Sequence, residues 1–331
     1  MASHPPTTHY SWQDGTTRCI YITDADQADA ELSKAFQATP GRDSCGLDIE
    51  WKPNFIKGQV ENPVALLQLA NVDTILLLHL CHMSRFPKQL QRLLEDANII
   101  KAGVGIQGSQ IRLYTRIRTD FRQIGDAKKI YKDCSVNIRS CVDLSLLARS
   151  VDNPRWKGRY NDPIGLARLI ATYENRLLSK GKITRSNWEN FLDLDQQEYA
   201  SNDGHAGYAL YTKLSRMIPA MSKPPSPTCY TFDIIRGRLC EPSGMTWSPF
   251  NPDYDPGPPP PPKPVPARTS SSTGPVLSSS GTSSGLKRPL APDSSPVRSN
   301  KVGKAGNRDD STQSVKPRPK RRPRPRGAPA Q

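Results

Sequence analysis

The chain has 331 residues, room for one ordinary domain and a substantial extension, and it carries a formal net charge of +15. Most of that excess lies at the end: residues 221–331 hold 18 Lys and Arg against 7 Asp and Glu, leaving 28 against 24 for residues 1–220. No apolar run is long and uncharged enough to span a bilayer, so no membrane partner is expected. Seven cysteines without a CxxC pair or zinc-like Cys/His spacing read as reduced thiols of a soluble intracellular protein.

Residues 1–29 read as an N-terminal extension, and residues 30–220 as one domain without internal repeats. Its first strand is predicted over residues 45–51. Two apolar runs, 64–70 and 74–79, flank the turn-like Asn71-Val72-Asp73 and suggest an antiparallel meander. An amphipathic helix is predicted over 87–96, with Leu90, Leu93 and Leu94 on one side, and a buried strand over 99–104. The second half is mostly helical, over 143–151, 163–178 and 195–217. Strands first, with helices between and after them, imply an α/β domain around a mixed sheet.

Chemistry enters with the acids. On a strand, Asp48 and Glu50 point to one face while Leu47, Ile49 and Trp51 take the other. Two adjacent carboxylates repel, which folding tolerates poorly unless a cation lies between them. Tyr199 and Asp203, four apart on the last helix, share a face and together suit a metal and an oriented water. Each pair alone is as compatible with solvated acids and a packed tyrosine.

The stretches GLDIEW, NPVALLQLA, KAGVGIQ, RSNWENF and YASNDGHAG occur in the order seen in the DEDDy 3′–5′ exonuclease superfamily, across residues 30–217. The chain resembles that superfamily, and within it the Werner-syndrome-type exonuclease domain. The resemblance implies a ribonuclease-H-like mixed β-sheet flanked by helices and two divalent ions, Mg²⁺ or Mn²⁺. It also implies hydrolysis of nucleotides from a 3′ end, with a lean toward DNA over RNA and toward repair. It assigns metal ligation to Asp48, Glu50 and Asp203, and the positioning of a water to Tyr199.

The resemblance requires a fourth acid, and two registers compete for it. Read without gaps, GVGIQGSQIRL puts Ser109 there, which cannot supply the charge a second metal needs. Setting aside residues 108–124 joins KAGVGIQ to GDAKKIYKD and offers Asp126 instead, the preferred reading. The segment 108–124 then reads as an insertion, or as the translation of an unspliced intron. It has the potential to displace Asp126 and impair the enzyme.

Trp51, Leu66 and Gln68 are candidates to line the groove for the terminal nucleotide, against a purely structural alternative. Lys52, Lys57 and Arg185 are candidates to meet the backbone. Gly204 and His205 stand where relatives usually carry Ala and Tyr. Glycine there is expected to loosen the Asp203 turn, and His205 is a candidate for a substrate phosphate or for packing. Residues 221–331, rich in Pro, Ser and basic side chains, are expected to be disordered, with Cys229 to Ile235 able to pack back on the domain. Near the end, Lys316, Arg318, Lys320, Arg321, Arg322, Arg324 and Arg326 form a basic run that reads as a nuclear-localisation signal for an import receptor, and hence predicts a nuclear protein. Two other readings stay open: an inert exonuclease-fold module that binds nucleic acid, and a ribonuclease D-like enzyme of RNA processing.

Overall fold

In the computed structural model, residues 6–37, 43–56, 58–107, 125–179 and 181–259 are described. β1 (Arg18–Ile22) leads into α1 (Ala25–Ala35), which starts at Asp24, whose side chain accepts from the backbone N–H of Asp26 and Gln27. β2 (Ser44–Glu50), β3 (Leu66–Ala70) and β4 (Thr74–Leu78) form the antiparallel meander that alternation implied. The Asn71 side chain closes its second turn by accepting from the backbone N–H of Asp73 and Thr74.

α2 (Lys88–Glu95) buries Leu90, Leu93 and Leu94, as its apolar stripe requires. Next come β5 (Ile100–Gly103), α3 (Asp126–Cys134), β6 (Ile138–Asp143) and α4 (Leu144–Val151). α5 (Leu166–Tyr173) is shorter than the pattern predicted. α6 (Leu194–Ser215) is the long final helix, opened by a capping box between Asp193 and Gln196. With β7 (Thr231–Ile235) and β8 (Arg238–Cys240), the sheet order is β1-β4-β3-β2-β5-β6-β7-β8, with β1–β4, β2–β5 and β5–β6 parallel and the remaining pairs antiparallel. This mixed sheet flanked by helices is the expected ribonuclease-H-like arrangement.

Both predicted domain edges need correction. β1, assigned to an N-terminal extension, pairs with β4 and forms one edge of the sheet. β7 and β8, assigned to the tail, form the other. The physical reason is local: Phe232, Ile234 and Trp247 bury almost completely, and β7 takes up the open edge of β6. A composition averaged over the whole tail hides such a cluster. Beyond it, the Tyr254 hydroxyl donates to the Trp156 carbonyl at 2.7 Å, and Lys157 pairs with Asp255 at 2.7 Å, so the chain stays on the domain to this point. The tail expectations past residue 259 fall outside the described residues. Among the described residues, no helix is long and apolar enough to cross a membrane.

Candidate active site

The acidic wall depends on how closely α6 lies on β2. A Cβ at Gly46 would overlap the Gly204 carbonyl oxygen, and one at Gly207 would stand 3.3 Å from the Ala102 carbonyl oxygen and the Gly46 Cα. Gly204 therefore does not merely loosen its turn. It faces Gln68, whose Cβ would lie 3.3 Å from an added methyl, in a contact where helix and sheet meet backbone to backbone. That approach brings Asp203 to Asp48 and Glu50, whose ligand oxygens all fall within 4.8 Å of one another. Tyr199, one turn before Asp203, donates its hydroxyl to that carboxylate. Beneath Tyr199 lies fully buried Trp188 of the RSNWENF stretch, its ring centre 6.0 Å away.

Burial first, and then mutual repulsion, hold Asp48 and Glu50 well above the usual carboxylate range. Asp48 is raised by desolvation and by Asp126, Asp203 and Glu50, while Glu50 is pushed up to about 9 by desolvation, Asp203 and Asp126. Desolvation and the neighbouring Asp203 drive Tyr199 far above its ordinary range, so its hydroxyl remains protonated. Packed oxygen donors with frustrated charge suit a hard divalent cation such as Mg²⁺ or Mn²⁺. The residues fit the ions that the resemblance implied.

Asp126 opens α3 and lines the same cavity of about 260 Å³ as Asp48, Glu50, Trp51, Tyr199 and Asp203. Burial and Asp143 push its carboxyl up to about 7, opposed by the ammonium of Lys129. Ser109 and the rest of 108–124 lie outside the described residues. The ends of that segment are informative, because the Ala127 N–H donates to the Ile106 carbonyl at 3.2 Å. With 108–124 left out of the count, these residues stand four apart, the spacing of a helical hydrogen bond. Ile106 and Ala127, on either side of it, thus lie side by side.

The remaining candidates divide. Trp51 lines the cavity, but Leu66 and Gln68 do not: both are fully buried, because β3 is an interior strand covered on both faces. His205 is also absent from the lining, and its Nδ1 meets the Tyr10 hydroxyl at 2.8 Å, which is packing in place of a tyrosine. Lys52 pairs with Glu189 at 3.0 Å, and Lys57 falls outside the described residues.

The sequence reading missed Val104, Gly165 and Leu166 in the lining. Pro163-Ile164-Gly165, just before α5, was the available signal. The fold also gathers His79, Cys81 and His82, with ligand atoms within 4.8 Å of one another, despite a spacing that did not suggest zinc. Both nitrogens of His79 are engaged: Nε2 donates to the Trp188 carbonyl at 2.8 Å and Nδ1 accepts from the Tyr21 hydroxyl at 2.6 Å. The cluster is thus explained as a link between β4 and the Trp188 turn.

The family model for the 3′-5′ exonuclease matches residues 19–219. The chain is 34% identical over 183 residues to a 3′-5′ exonuclease of Arabidopsis thaliana, covering 54% of each protein. It is also 34% identical over 178 residues to the bifunctional 3′-5′ exonuclease/ATP-dependent helicase WRN of Mus musculus, covering 53% of this chain and 11% of that one. Among solved structures, Escherichia coli RNase D is similar with a TM-score of 0.46 and 21% identity, covering 62% of this chain and 46% of that chain. The matched region is thus about half of the Arabidopsis relative and a small part of the mouse protein.

One expectation is overturned. The lean toward DNA over RNA has no support, since the family and the Arabidopsis relative are described only as 3′-5′ exonuclease. The match over residues 19–219 decides the kinship: the chain belongs to the 3′-5′ exonuclease family, as a DEDDy-type member of the ribonuclease-H-like superfamily.

Proposed function

We propose that the protein is a metal-dependent exonuclease that removes nucleotides from the 3′ end of a nucleic acid by a two-metal mechanism. The observation that carries this reading is the wall of Asp48, Glu50 and Asp203, with Asp126 and Tyr199 facing the same cavity. Asp48, Glu50 and Asp203 would hold one ion, and Asp126, with Asp48 shared, would support a second. Bound there, divalent cations lower the pKa of an attacking water and offset the charge that builds on the phosphate.

The chain's own side chains do the rest. Tyr199, protonated and fixed on Asp203, orients a water rather than removing its proton. Trp51 and Leu166 form an apolar wall suited to the terminal base and sugar. A closer kinship with the Werner-type domain is a narrower reading, which the equal identity of the plant and mouse relatives does not favour.

The test is nucleotide release from labelled single-stranded RNA, single-stranded DNA and 3′-recessed DNA, with Mg²⁺ or Mn²⁺. Wild type should shorten at least one substrate stepwise from its 3′ end, and Asp126→Ala should be severely slowed. If the full chain shortens none of them with either ion, the reading is lost.

The basic run from Lys316 to Arg326 supports nuclear import of the enzyme. Deleting residues 316–326 from a fluorescent fusion should spread it through the cytoplasm, and unchanged nuclear enrichment would reject that role.

A further inference from the structure

The face of α3 that carries Asp126 continues into a charged contact outside the cavity lining. Lys129 and Asp133, three and seven residues on, share that face. The Lys129 side chain is wholly buried, which is costly for an ammonium unless it is paired and hydrogen-bonded. Here it is both. Its Nζ donates to the Asn62 carbonyl at 2.7 Å, pairs with Asp133 at 3.0 Å and Glu61 at 3.8 Å, and stands 4.8 Å from the centre of the Trp51 ring. Asp133 also accepts from the Val64 backbone N–H at 3.0 Å.

All of these partners belong to α3 itself or to the β2–β3 connection, which begins at cavity-lining Trp51. Burial of apolar side chains holds that connection at its ends, where Trp51 packs against the core and Val64 and Ala65 enter it, but not along its middle. Phe55, Ile56 and Val60 along it are 78%, 63% and 79% exposed. Polar attachments therefore fix the path of its middle, and among the described residues those that reach the Asp126 helix are the Lys129 contacts with Trp51, Glu61 and Asn62 and the Val64 N–H donated to Asp133.

We infer that Lys129 is a positioning residue for the exonuclease centre: by gripping Trp51, Asn62 and Asp133 it sets Asp126 and the nucleotide-facing wall in register. This inference rests on the exonuclease reading. The competing account is a clip that serves stability alone. The two differ in what they move: loss of a stability clip reduces the folded fraction, whereas loss of registration changes the affinity of the centre for metal and substrate.

Lys129→Met alone leaves Asp133 and Glu61 facing a site without its cation and risks unfolding. The decisive variant is therefore Lys129→Met with Asp133→Asn in the full chain, which removes both charges of the closest pair. Mn²⁺ binding is read by electron paramagnetic resonance without nucleic acid, alongside thermal unfolding and the separate kcat and KM of nucleotide release. The double variant should unfold cooperatively, bind Mn²⁺ about threefold to tenfold more weakly, and show a KM raised by a similar factor. Unchanged Mn²⁺ affinity and KM, with only the unfolding temperature lowered, would overturn the inference. A wild type that binds Mn²⁺ and digests nothing would overturn the exonuclease reading instead, while the Mn²⁺ comparison would still judge Lys129.

Discussion

β2 and α6 meet backbone to backbone across Gly46, Gly204 and Gly207, whereas α3 reaches the same cavity through side chains. In the first limb, the distance between Asp48 and Asp203 is set by the absence of any Cβ in the gap. In the second, Asp126 is placed by the Lys129 and Asp133 contacts and by the Ala127–Ile106 hydrogen bond. The difference teaches where each limb is fragile. The glycine contact tolerates no added atom at Gly46, while the α3 limb depends on a buried charge.

The largest effect should come from removing a shared acid. Asp48→Asn is expected to slow Mg²⁺-dependent nucleotide release by about a hundredfold to a thousandfold, measured in single turnover. A loss smaller than tenfold would mean the chemistry lies elsewhere.

Next comes the glycine contact itself. Gly46→Ala should destabilise the protein by about 3 kcal/mol or more in denaturant unfolding, since the methyl would meet backbone that cannot rotate away. Gly204→Ala offers the contrast, because its methyl would meet only a side-chain carbon at 3.3 Å while gaining helix propensity. Its net change should stay within about 1 kcal/mol. Equal losses at the two positions would erase the distinction between them.

A smaller effect concerns pH. In the metal-free folded protein the Glu50 carboxyl lies at about 9 and that of Asp126 at about 7. From the ordinary carboxylate range near about 4 up to those values, the folded state binds more protons than the unfolded chain. Stability is therefore fullest at acidic pH and is lost as pH rises through about 7 to 9. The unfolding temperature without metal should fall by several degrees between about pH 5.5 and 8.5, and Mg²⁺ should reduce that fall. A flat profile would mean the acids are not frustrated.

The smallest change should follow the most drastic edit. Excising residues 108–124 should leave nucleotide release within about threefold of wild type, because α3 carries its own anchors and loop closure costs little that depends on length. Activity that disappears would show that the connection, rather than the clip, places Asp126. Transcripts spanning codons 105–128 that uniformly contain the segment would exclude the unspliced-intron origin.

Much of the acidic centre was legible because its spacings are local. Alternation on β2 puts Asp48 and Glu50 on one face, and four residues on α6 align Tyr199 with Asp203 whatever surrounds them. The stretch that resumes after the interruption pointed to Asp126, which lines the same cavity as the other acids. Leu66 and Gln68 stayed open between a groove and a structural role because a strand pattern states which residues share a face, not whether another layer covers it. α6 covers β3 on one side and the core fills the other. His205 was ambiguous because its partner, Tyr10, lies 195 positions away.

The sequence by itself determined the family and the α/β class and named four acids as candidates, since periodicity and motif order are properties of the chain alone. Only the tertiary structure decided where the domain ends, because β1, β7 and β8 become strands by pairing with edges that the rest of the sheet must first provide. It also decided why Gly46 is a glycine and what Lys129 holds. Both depend on atoms brought within a few ångströms by packing, a distance that separation along the chain does not encode.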